Sequence, residues 1–296
     1  MVESTHSGHV VIVDGAGAVV RTWGDPTAPF FMRSAAKPFQ AAVSQANGAD
    51  LSPRQLALAC ASHSAEPVHV AIVRQMLAEV GLGPDDLLCP PDRPMSPAAD
   101  RRLDRKDRLL HNCSGKHAAM LRACVASGWP LDYTRTDHPL QKRTAEYVAD
   151  VSGVDPGPTG IDGCGVPTYR TTTTGLAHAF SRLAVAESLS AVATAMHRYP
   201  YLTAGTERPE PAIAVAINGA VKGGAKGCLG VAVIGQFGVA SRASDGLMEP
   251  AAIGAIEALS RVGLITPGGD AALAKHRYPP VLGGGEPVGR WEPALS

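Results

Sequence analysis

The sequence lacks an excess of charge of either sign, a long apolar run and a recognisable export signal. Lys and Arg together number 27, as do Asp and Glu, so no net charge favours sequence-independent binding to nucleic acid or anionic lipid. The longest apolar stretches are too short to span a membrane. The first residues contain neither the basic nor the apolar region of a secretory signal. We therefore expect a cytoplasmic protein with a small-molecule partner, and no binding to nucleic acid or to a membrane.

Closely spaced cysteines are also absent. The six cysteines are spread along the chain without a Cys-x-x-Cys motif, and a chain of 296 residues can bury a large core without disulfides. The hydrophobic content of 45% and the charged content of 18% are typical of a globular protein rather than a disordered one. Most of the thiols are therefore expected to be buried as small apolar groups.

Hydrophobic periodicity predicts an N-terminal β-hairpin followed by a helical region. The hairpin covers residues 10–13 and 18–23, with a glycine-containing turn between them. Helices are predicted over residues 37–47, 53–61, 67–81, 115–127, 138–152, 171–186, 188–198 and 249–262. Strands are predicted over residues 212–217, 227–235 and 239–242, a loop over residues 283–285 and an irregular tail after that loop.

The proline-rich stretch 84–112 breaks the helical pattern. It predicts a solvated surface loop, and a lid beside the functional site is the alternative. Neither an internal repeat nor a flexible linker is visible. The whole pattern predicts one catalytic unit over residues 1–296, of the α/β (α+β) class. Its mixed sheet part is expected at about 1–33 plus 205–296, and its helical part at about 34–204.

Three short motifs together predict acyl-transfer chemistry. Ser34 and Lys37 lie three residues apart at the start of a predicted helix, so a hydroxyl and an amine share one helical face. The triplets 62–64 (Ser-His-Ser) and 222–224 (Lys-Gly-Gly) follow in the order of the S-x-x-K, S-x-N and K-T-G elements of penicillin-recognising enzymes. The chain has only seven lysines, and two of them occupy lysine positions of this ordered set. That coincidence favours a catalytic reading of the set.

Each of these side chains has a role in such a reaction. Ser34 would be the nucleophile and Lys37 its general base, which requires a lowered lysine pKa. Lys222 could lower that pKa by its charge, and Ser62 would bridge the two amines. The glycines at 223 and 224 would let a substrate approach the strand edge. Taken singly, the motifs are more typical of a helix cap, a loop and a hairpin turn.

A second group of residues predicts a metal site. Cys113 and Cys164 each lie close to glycines, and two thiolates with a third ligand can form a compact zinc site. By spacing alone the third ligand would be His117, four residues after Cys113. The alternatives are two buried thiols without metal, and a nucleophilic Cys113 paired with His117 as in cysteine hydrolases.

Four blocks of sequence resemble the asparaginase II family of the Rhizobium type. The blocks are residues 31–40, 60–67, 111–117 and 162–167, and the similarity runs from about residue 3 to residue 284. The resemblance implies a serine β-lactamase/glutaminase-like fold, with a mostly antiparallel sheet, flanking helices and a helical insert. It also implies hydrolysis of L-asparagine to L-aspartate and ammonia by a homodimer.

The resemblance further implies roles for individual residues. Ser34 would be the nucleophile with Lys37 as its partner, and Ser62 with Lys222 would form a second Ser-Lys pair. The cofactor would be zinc, and its implied ligands are Cys113, Lys116 and Cys164, without His117. The residues implied near the substrate are His117, Asp162 and Arg33.

The chain departs from the family pattern at several positions. Ser64 and Ala65 stand where Asn or Ser and then Gly are common, Ala119 replaces a common Gly, and an expected aspartate is missing from residues 207–211. Lys226 replaces a Glu, and if that Glu binds a cation, the reversed charge would weaken binding and shift nearby pKa values. The alternatives are therefore a related serine acyl-enzyme, such as a glutaminase or β-lactam hydrolase, and a noncatalytic homologue that binds an amino acid.

Overall fold

The computed structural model describes residues 1–103, 105–206 and 208–295. The strands are β1 (Gly8–Asp14), β2 (Val19–Trp23), β3 (Phe30–Phe31), β4 (Gly160–Ile161), β5 (Pro167–Thr168), β6 (Arg170–Thr171), β7 (Gly219–Gly224), β8 (Cys228–Val233), β9 (Phe237–Ala243), β10 (Pro280–Gly283) and β11 (Glu286–Arg290). Short 3-10 helices cover Arg33–Ala36, Pro84–Asp86, Arg108–Leu110 and Glu187–Leu189.

The α-helices alternate with these strands along the chain. They are α1 (Lys37–Ala46), α2 (Pro53–Ala59), α3 (Pro67–Ala78), α4 (Pro97–Asp100), α5 (Ser114–Ser127), α6 (Pro139–Ser152), α7 (Thr173–Val185), α8 (Ser190–Arg198), α9 (Pro200–Ala204), α10 (Pro209–Ala216), α11 (Met248–Arg261) and α12 (Gly269–Arg277). None of the helices in the described ranges is long and apolar enough to cross a membrane.

The main sheet joins strands from distant parts of the chain. Its order is β2-β1-β9-β8-β7, and every neighbouring pair is antiparallel. The N-terminal hairpin therefore pairs directly with the strands between residues 219 and 243, and most of the helices lie in the intervening segment. The predicted class is confirmed: a mostly antiparallel sheet with flanking helices and a helical insert.

Each face of the sheet packs on its own apolar core. Val11 and Val13 of β1 belong to the core shared with α1, α5 and α7, whereas Val10 and Ile12 belong to the core shared with α10, α11 and α12. This alternation is the two-residue period of a strand that is buried on both faces. The sheet is thus the middle layer between two layers of helices.

Glycines let α7 lie directly against the inner strands. A Cβ on Gly238 of β9 would lie 2.1 Å from the backbone nitrogen of Ser181, and a Cβ on Gly230 of β8 would lie 2.1 Å from Cε2 of Phe180. These distances are shorter than any real carbon contact, so only glycine permits this approach. The helical layer that contains α7 is therefore held at a fixed, short distance from the sheet.

The predicted hairpin and the predicted helices between residues 37 and 198 are confirmed to within a few residues at each end. The strand predicted over 212–217 is wrong, because this segment belongs to α10. A short apolar run fits either period, and Pro209 at the first helical position starts a helix. The predicted loop is confirmed as the turn at Gly284 and Gly285, both with positive φ, but the irregular tail after it is wrong, because β11 pairs with β10 in a hairpin.

Candidate active site

Two lysines and one serine meet in the interior of the protein. Lys37 Nζ and Lys222 Nζ each donate a hydrogen bond to Ser62 Oγ, both at 2.9 Å. The amines also donate to backbone carbonyls, Lys37 to Ala61 at 2.6 Å and Lys222 to Gly223 at 2.6 Å. The three side chains are at most 5% exposed. One hydroxyl therefore lies between two amines in a place that bulk water does not reach.

Three different elements hold these groups. Lys37 is the first residue of α1, where Pro38 occupies a position that favours a helix start. Ser62 follows α2, and its N–H donates to the carbonyl of Thr203 at the end of α9 at 3.0 Å. Lys222 lies within β7, the edge strand of the sheet. The cluster exists only when the helical layer is docked on the sheet.

Ser34 lies in the 3-10 turn that precedes Lys37, and it is partly exposed. The preceding residue, Arg33, has φ of +51°, a left-handed conformation that is strained for a side chain of this kind. A Cβ on Gly224 of β7 would lie 2.5 Å from the carbonyl oxygen of Met32, so the end of β7 packs directly on this turn. Among the described residues, no hydrogen bond joins the Ser34 hydroxyl to either amine.

The Lys222 amine has an unusually low affinity for protons. Burial, followed by the positive charges of Lys37 and Arg208, lowers the pKa of Lys222 to about 7. Glu210 opposes this shift, because its carboxylate favours the charged amine. Near neutral pH, a large share of Lys222 is therefore a neutral amine that can accept a proton.

An ion pair that the sequence motifs do not predict lies beside Gly223, the residue that follows Lys222 in β7. Arg208 Nε donates to Glu210 Oε2 at 3.2 Å, and the Glu210 side chain is only 1% exposed. In the sequence, the stretch 207–211 stood out only because it lacks the aspartate that the family pattern predicts there. Glu207 lies outside the described residues, but Glu210 places a carboxylate next to the strand. Gly223 was the sequence signal for this contact, because its lack of a side chain leaves the space that the Glu210 carboxylate fills.

Lys226 lies away from these contacts. It is an exposed residue of the turn that connects β7 to β8, with φ of +65°. It is not among the main charges that shift the pKa of Lys222. The structure therefore gives no support to the expectation that Lys226 shifts the pKa of the buried amine.

His63 anchors the segment that carries Ser62. Its Nδ1 accepts a hydrogen bond from the N–H of Ala65 at 3.1 Å, so its Nε2 carries the proton and donates to Ser114 Oγ at 2.9 Å. Burial, aided by nearby positive charge, lowers the pKa of His63 well below its usual value. Ser64 does not reach the amines, since its hydroxyl donates to Glu66 Oε1 at 2.6 Å.

A sulfur-rich cluster of Cys113, Lys116 and Cys164 lies near the group formed by Lys37, Ser62 and Lys222. Lys116 Nζ donates to Cys164 Sγ at 3.1 Å, and Cys113 also hydrogen bonds to Cys164. The hydrogen bond from Cys113, followed by the charge of Lys116, lowers the pKa of the Cys164 thiol although burial opposes this shift. Burial would lower the pKa of Lys116, but the charges of Cys164 and Cys113 outweigh it and raise this pKa. The two shifts favour a negative charge on the Cys164 sulfur and a positive charge on the Lys116 amine.

The donor set of this cluster suits a zinc ion. Two sulfurs and one amine nitrogen are buried together, and zinc prefers sulfur and nitrogen ligands. Within the described ranges, no three His, Cys, Asp or Glu side chains are grouped to hold a metal, so the amine of Lys116 would be needed. His117 Nε2 is buried without a hydrogen-bond partner among the described residues, whereas its Nδ1 bonds to Tyr133 Oη at 2.8 Å.

Arg33 and Asp162 form an ion pair between the segment that carries Ser34 and the segment that carries Cys164. Arg33 Nε donates to Asp162 Oδ1 at 2.6 Å, and the same oxygen accepts the N–H of Gly163 at 2.9 Å. Arg33 directly precedes Ser34, and Asp162 lies two residues before Cys164. The two side chains are 27% and 11% exposed, respectively. An opposite pair of charges thus lies beside the partly exposed serine.

The long connection 84–112 passes next to this region. The N–H of Ser96 donates to the carbonyl of Ser64 at 3.0 Å, and Asn112 Nδ2 donates to Met95 Sδ at 3.1 Å. The middle of the connection therefore contacts the segment that follows Ser62.

A surface cavity of about 500 Å³ lies between β2 and the end of α11, and none of its lining residues belongs to the predicted site.

Comparison with known proteins gives one family match. The model of the L-asparaginase II family matches residues 1–293. Among solved structures, the crystal structure of Mglu in its native form is 14% identical, with a TM-score of 0.47 over 86% of this chain. The chain covers 63% of the length of that structure. A comparison with curated proteins gives no match.

Ala65→Gly is expected to raise the free energy of unfolding. Ala65 has φ of +58°, a conformation that costs a non-glycine residue about 1 kcal/mol or more, whereas glycine adopts it freely. The matched control is Ala71→Gly, an exposed position of α3, which should lose about 1 kcal/mol. Urea unfolding measures both. Equal losses in the two variants would contradict the assignment of strain to Ala65.

Proposed function

We propose, because the chain belongs to the L-asparaginase II family, that it is an amidohydrolase that converts L-asparagine to L-aspartate and ammonia. The observation that carries this proposal is the convergence of Lys37 and Lys222 on the hydroxyl of Ser62. A serine acyl transfer needs a base that is neutral near pH 7, and the lowered pKa of Lys222 supports such a base.

In the proposed first step, Ser34 Oγ attacks the side-chain amide carbon of asparagine. Ser34 suits the role of nucleophile because it is partly exposed, whereas Ser62 is 5% exposed and held between amines. The missing hydrogen bond from Ser34 to an amine does not exclude it, since catalytic hydrogen bonds often form only with substrate bound.

Ser62 would act as the proton relay between the two amines. It donates its proton to neutral Lys222 while it accepts one from Lys37, so that Lys37 becomes the neutral amine. Lys37 then takes the proton of Ser34 as the new C–O bond forms, and this proton leaves with ammonia as the C–N bond breaks. A water molecule cleaves the acyl-enzyme, its proton returns to Ser34 by the same route, and aspartate is released.

The negative oxygen of the tetrahedral intermediate needs donors that are already in place. Backbone N–H groups of the 3-10 turn at Ser34 and of β7 are the proposed donors. Gly224 supports this arrangement because it lets β7 and the turn lie in direct contact. A larger residue at 224 would separate them.

Arg33, Asp162 and His117 are the proposed substrate-binding residues. An amino acid carries one carboxylate and one ammonium group, and Arg33 with Asp162 presents the complementary charges beside Ser34. Burial lowers the pKa of His117, so its unpaired Nε2 can be a neutral partner for a bound polar group. These contacts would orient the side-chain amide toward Ser34.

Zinc is the proposed cofactor, with Cys113, Cys164 and Lys116 as its ligands. When bound, the metal would supply a fixed positive charge next to the substrate pocket. Lys116 and Cys113 must each lose a proton to bind a metal, and the pKa of both groups is raised by their neighbours, so zinc would displace a proton from each of them. The neighbouring residues Asp162 and His117 would thereby be held in one orientation.

Ser34→Ala and Lys37→Ala are each expected to lower ammonia release from L-asparagine by about a thousandfold or more, because each removes a group that acts in bond formation. Ser44→Ala is the matched control, since Ser44 is a buried serine of α1 whose hydroxyl donates to the carbonyl of Gln40 at 3.0 Å. It should keep wild-type activity.

The site of acylation separates the two serines. After reaction with L-aspartate β-hydroxamate and an acid quench, mass spectrometry should find the acyl group on the peptide that contains Ser34. An acyl group on Ser62, or wild-type rates in Ser34→Ala, would contradict the proposed nucleophile.

Metal analysis of the purified protein is expected to find about one zinc per chain, because two buried thiolates and an amine offer the sulfur and nitrogen ligands that zinc prefers. Cys113→Ser and Cys164→Ser should each lose the metal. Cys124→Ser is the control, since this buried thiol lies near His138 rather than in the cluster, and it should retain zinc. Metal-free wild-type protein, or full zinc in both cluster variants, would contradict the proposal.

A further inference from the structure

The segments that carry Ser62 and Cys113 are bonded directly to each other. The N–H of His63 donates to the carbonyl of Asn112 at 3.1 Å, and His63 Nε2 donates to Ser114 Oγ at 2.9 Å. His63 directly follows Ser62 in the chain, and Asn112 and Ser114 lie on either side of Cys113. One histidine therefore joins the serine between the two amines to the 112–114 segment, which contains a proposed zinc ligand.

The hydrogen-bonding role of each atom in this contact is fixed. His63 Nδ1 accepts the N–H of Ala65 at 3.1 Å, so the neutral ring carries its proton on Nε2. Ser114 Oγ accepts the bond from Nε2 and donates its own proton to the carbonyl of Leu109 at 3.0 Å. Both side chains are fully buried. Neither can turn away without leaving a buried polar group unpaired.

Backbone packing brings the same two regions together. A Cβ on Gly115, the second residue of α5, would lie 2.5 Å from the carbonyl oxygen of Leu58 in α2. Only glycine permits this approach. The start of the helix that carries Lys116 therefore packs on the helix that ends three residues before Ser62. The contact through His63 thus lies between two helices that are already held together.

The position of the Ser62 hydroxyl is set from two directions. Its own N–H donates to a carbonyl at the end of α9 at 3.0 Å, and the next residue, His63, is bonded to the 112–114 segment. The hydroxyl accepts hydrogen bonds from Lys37 and Lys222, both at 2.9 Å. A displacement of about 1 Å away from the amines lengthens these bonds beyond hydrogen-bonding distance. The contact between the amines is therefore sensitive to how His63 is held.

We propose that His63 is a positioning residue that couples the 112–114 segment to Ser62, so that the zinc site and the proton relay keep one common geometry. Binding of zinc to Cys113 would hold the segment in place, and His63 would transmit this order to the hydroxyl between the amines. The coupling is reciprocal, so a Ser62 segment that is out of place weakens metal binding. For the metal and for its role in catalysis, this inference rests on the proposed function.

Two substitutions of His63 separate this coupling from local support of the turn. His63→Gln can place an amide N–H where Nε2 lies and keep the bond to Ser114, whereas His63→Asn reaches only the place of Nδ1 and keeps the bond from Ala65. The glutamine variant should retain kcat within about threefold, and the asparagine variant should lose about ten- to a hundredfold with little change in KM. The reverse order would contradict the coupling.

Zinc affinity is expected to follow the same order. In competition with a chelator, His63→Asn should raise the Kd for zinc by about ten- to a hundredfold, although His63 is not a proposed ligand, because groups outside the ligand set orient the ligands. His63→Gln should stay near the wild-type Kd. Equal affinities in the three proteins would contradict the coupling.

A further measurement requires neither zinc nor turnover. Ser114→Ala removes the contact from the side of α5 and leaves the bond from the N–H of Ser62 to Thr203 untouched. Hydrogen exchange followed by NMR should show this N–H exchanging about tenfold faster or more, relative to the amides of the inner strand β8, which report global unfolding. The matched control is Ser127→Ala, since Ser127 ends the same helix and its hydroxyl donates to a backbone carbonyl at 3.1 Å. It should leave the exchange of Ser62 unchanged.

Unchanged exchange of Ser62 in Ser114→Ala, or an equal increase in Ser127→Ala, would overturn the inference. If the wild-type protein binds no zinc or releases no ammonia while Ser114→Ala alone speeds this exchange, the proposed function fails and the coupling stands. If zinc is bound and ammonia is released but neither exchange nor zinc affinity responds, the coupling fails and the function stands. Should His63→Asn fail to fold, Ser114→Ala replaces it in the measurements of kcat and zinc affinity, with the same expected losses.

Discussion

The contact of two lysine amines with one buried hydroxyl is the constraint on which the candidate site depends. Two ammonium groups cannot share such a place without a large electrostatic cost, because neither water nor distance screens their charges. One amine must therefore release its proton easily, and the surroundings make Lys222 that amine. Because both amines bond to Ser62 Oγ, a proton can pass between them through this hydroxyl.

The packing of the helical layer on the sheet determines this contact. Lys37 comes from the helical layer and Lys222 from the edge strand of the sheet, so the distance between the amines is set by how the two layers pack. Glycines control that packing: Gly238 and Gly230 bring α7 onto the sheet, and Gly224 brings β7 onto the turn that carries Ser34. Small residues far apart in sequence thus fix the geometry of the polar groups.

Much of this architecture could be predicted from the sequence, and the reasons differ between elements. The helices between residues 37 and 198 have long periodic patterns, and the order of the Ser-Lys motifs carries chemical information that does not depend on exact boundaries. Residues 212–217 were mistaken for a strand because a short apolar run has no distinctive period. Glu210 could not be placed from its neighbours in sequence, since its importance comes from the space beside Gly223.

Electrostatic properties were the least accessible to sequence reasoning. The motifs predict a lowered pKa for Lys37, with Lys222 as its cause, whereas in the structure burial and the charges of Lys37 and Arg208 lower the pKa of Lys222. In the same way, spacing drew attention to His117 as the third ligand, and the contact of the Lys116 amine with Cys164 is visible only in the fold. Charge and burial are sums over many residues from different elements, and no local pattern contains them.

The pH dependence of kcat/KM for ammonia release from L-asparagine tests the central claim most directly. If a neutral Lys222 starts the proton relay, the rate constant should rise about tenfold per pH unit on the acid side and level off above an apparent pKa of about 7. A value that stays constant from about pH 5 to about pH 9 would mean that no group of this kind controls the reaction. That result would contradict the account.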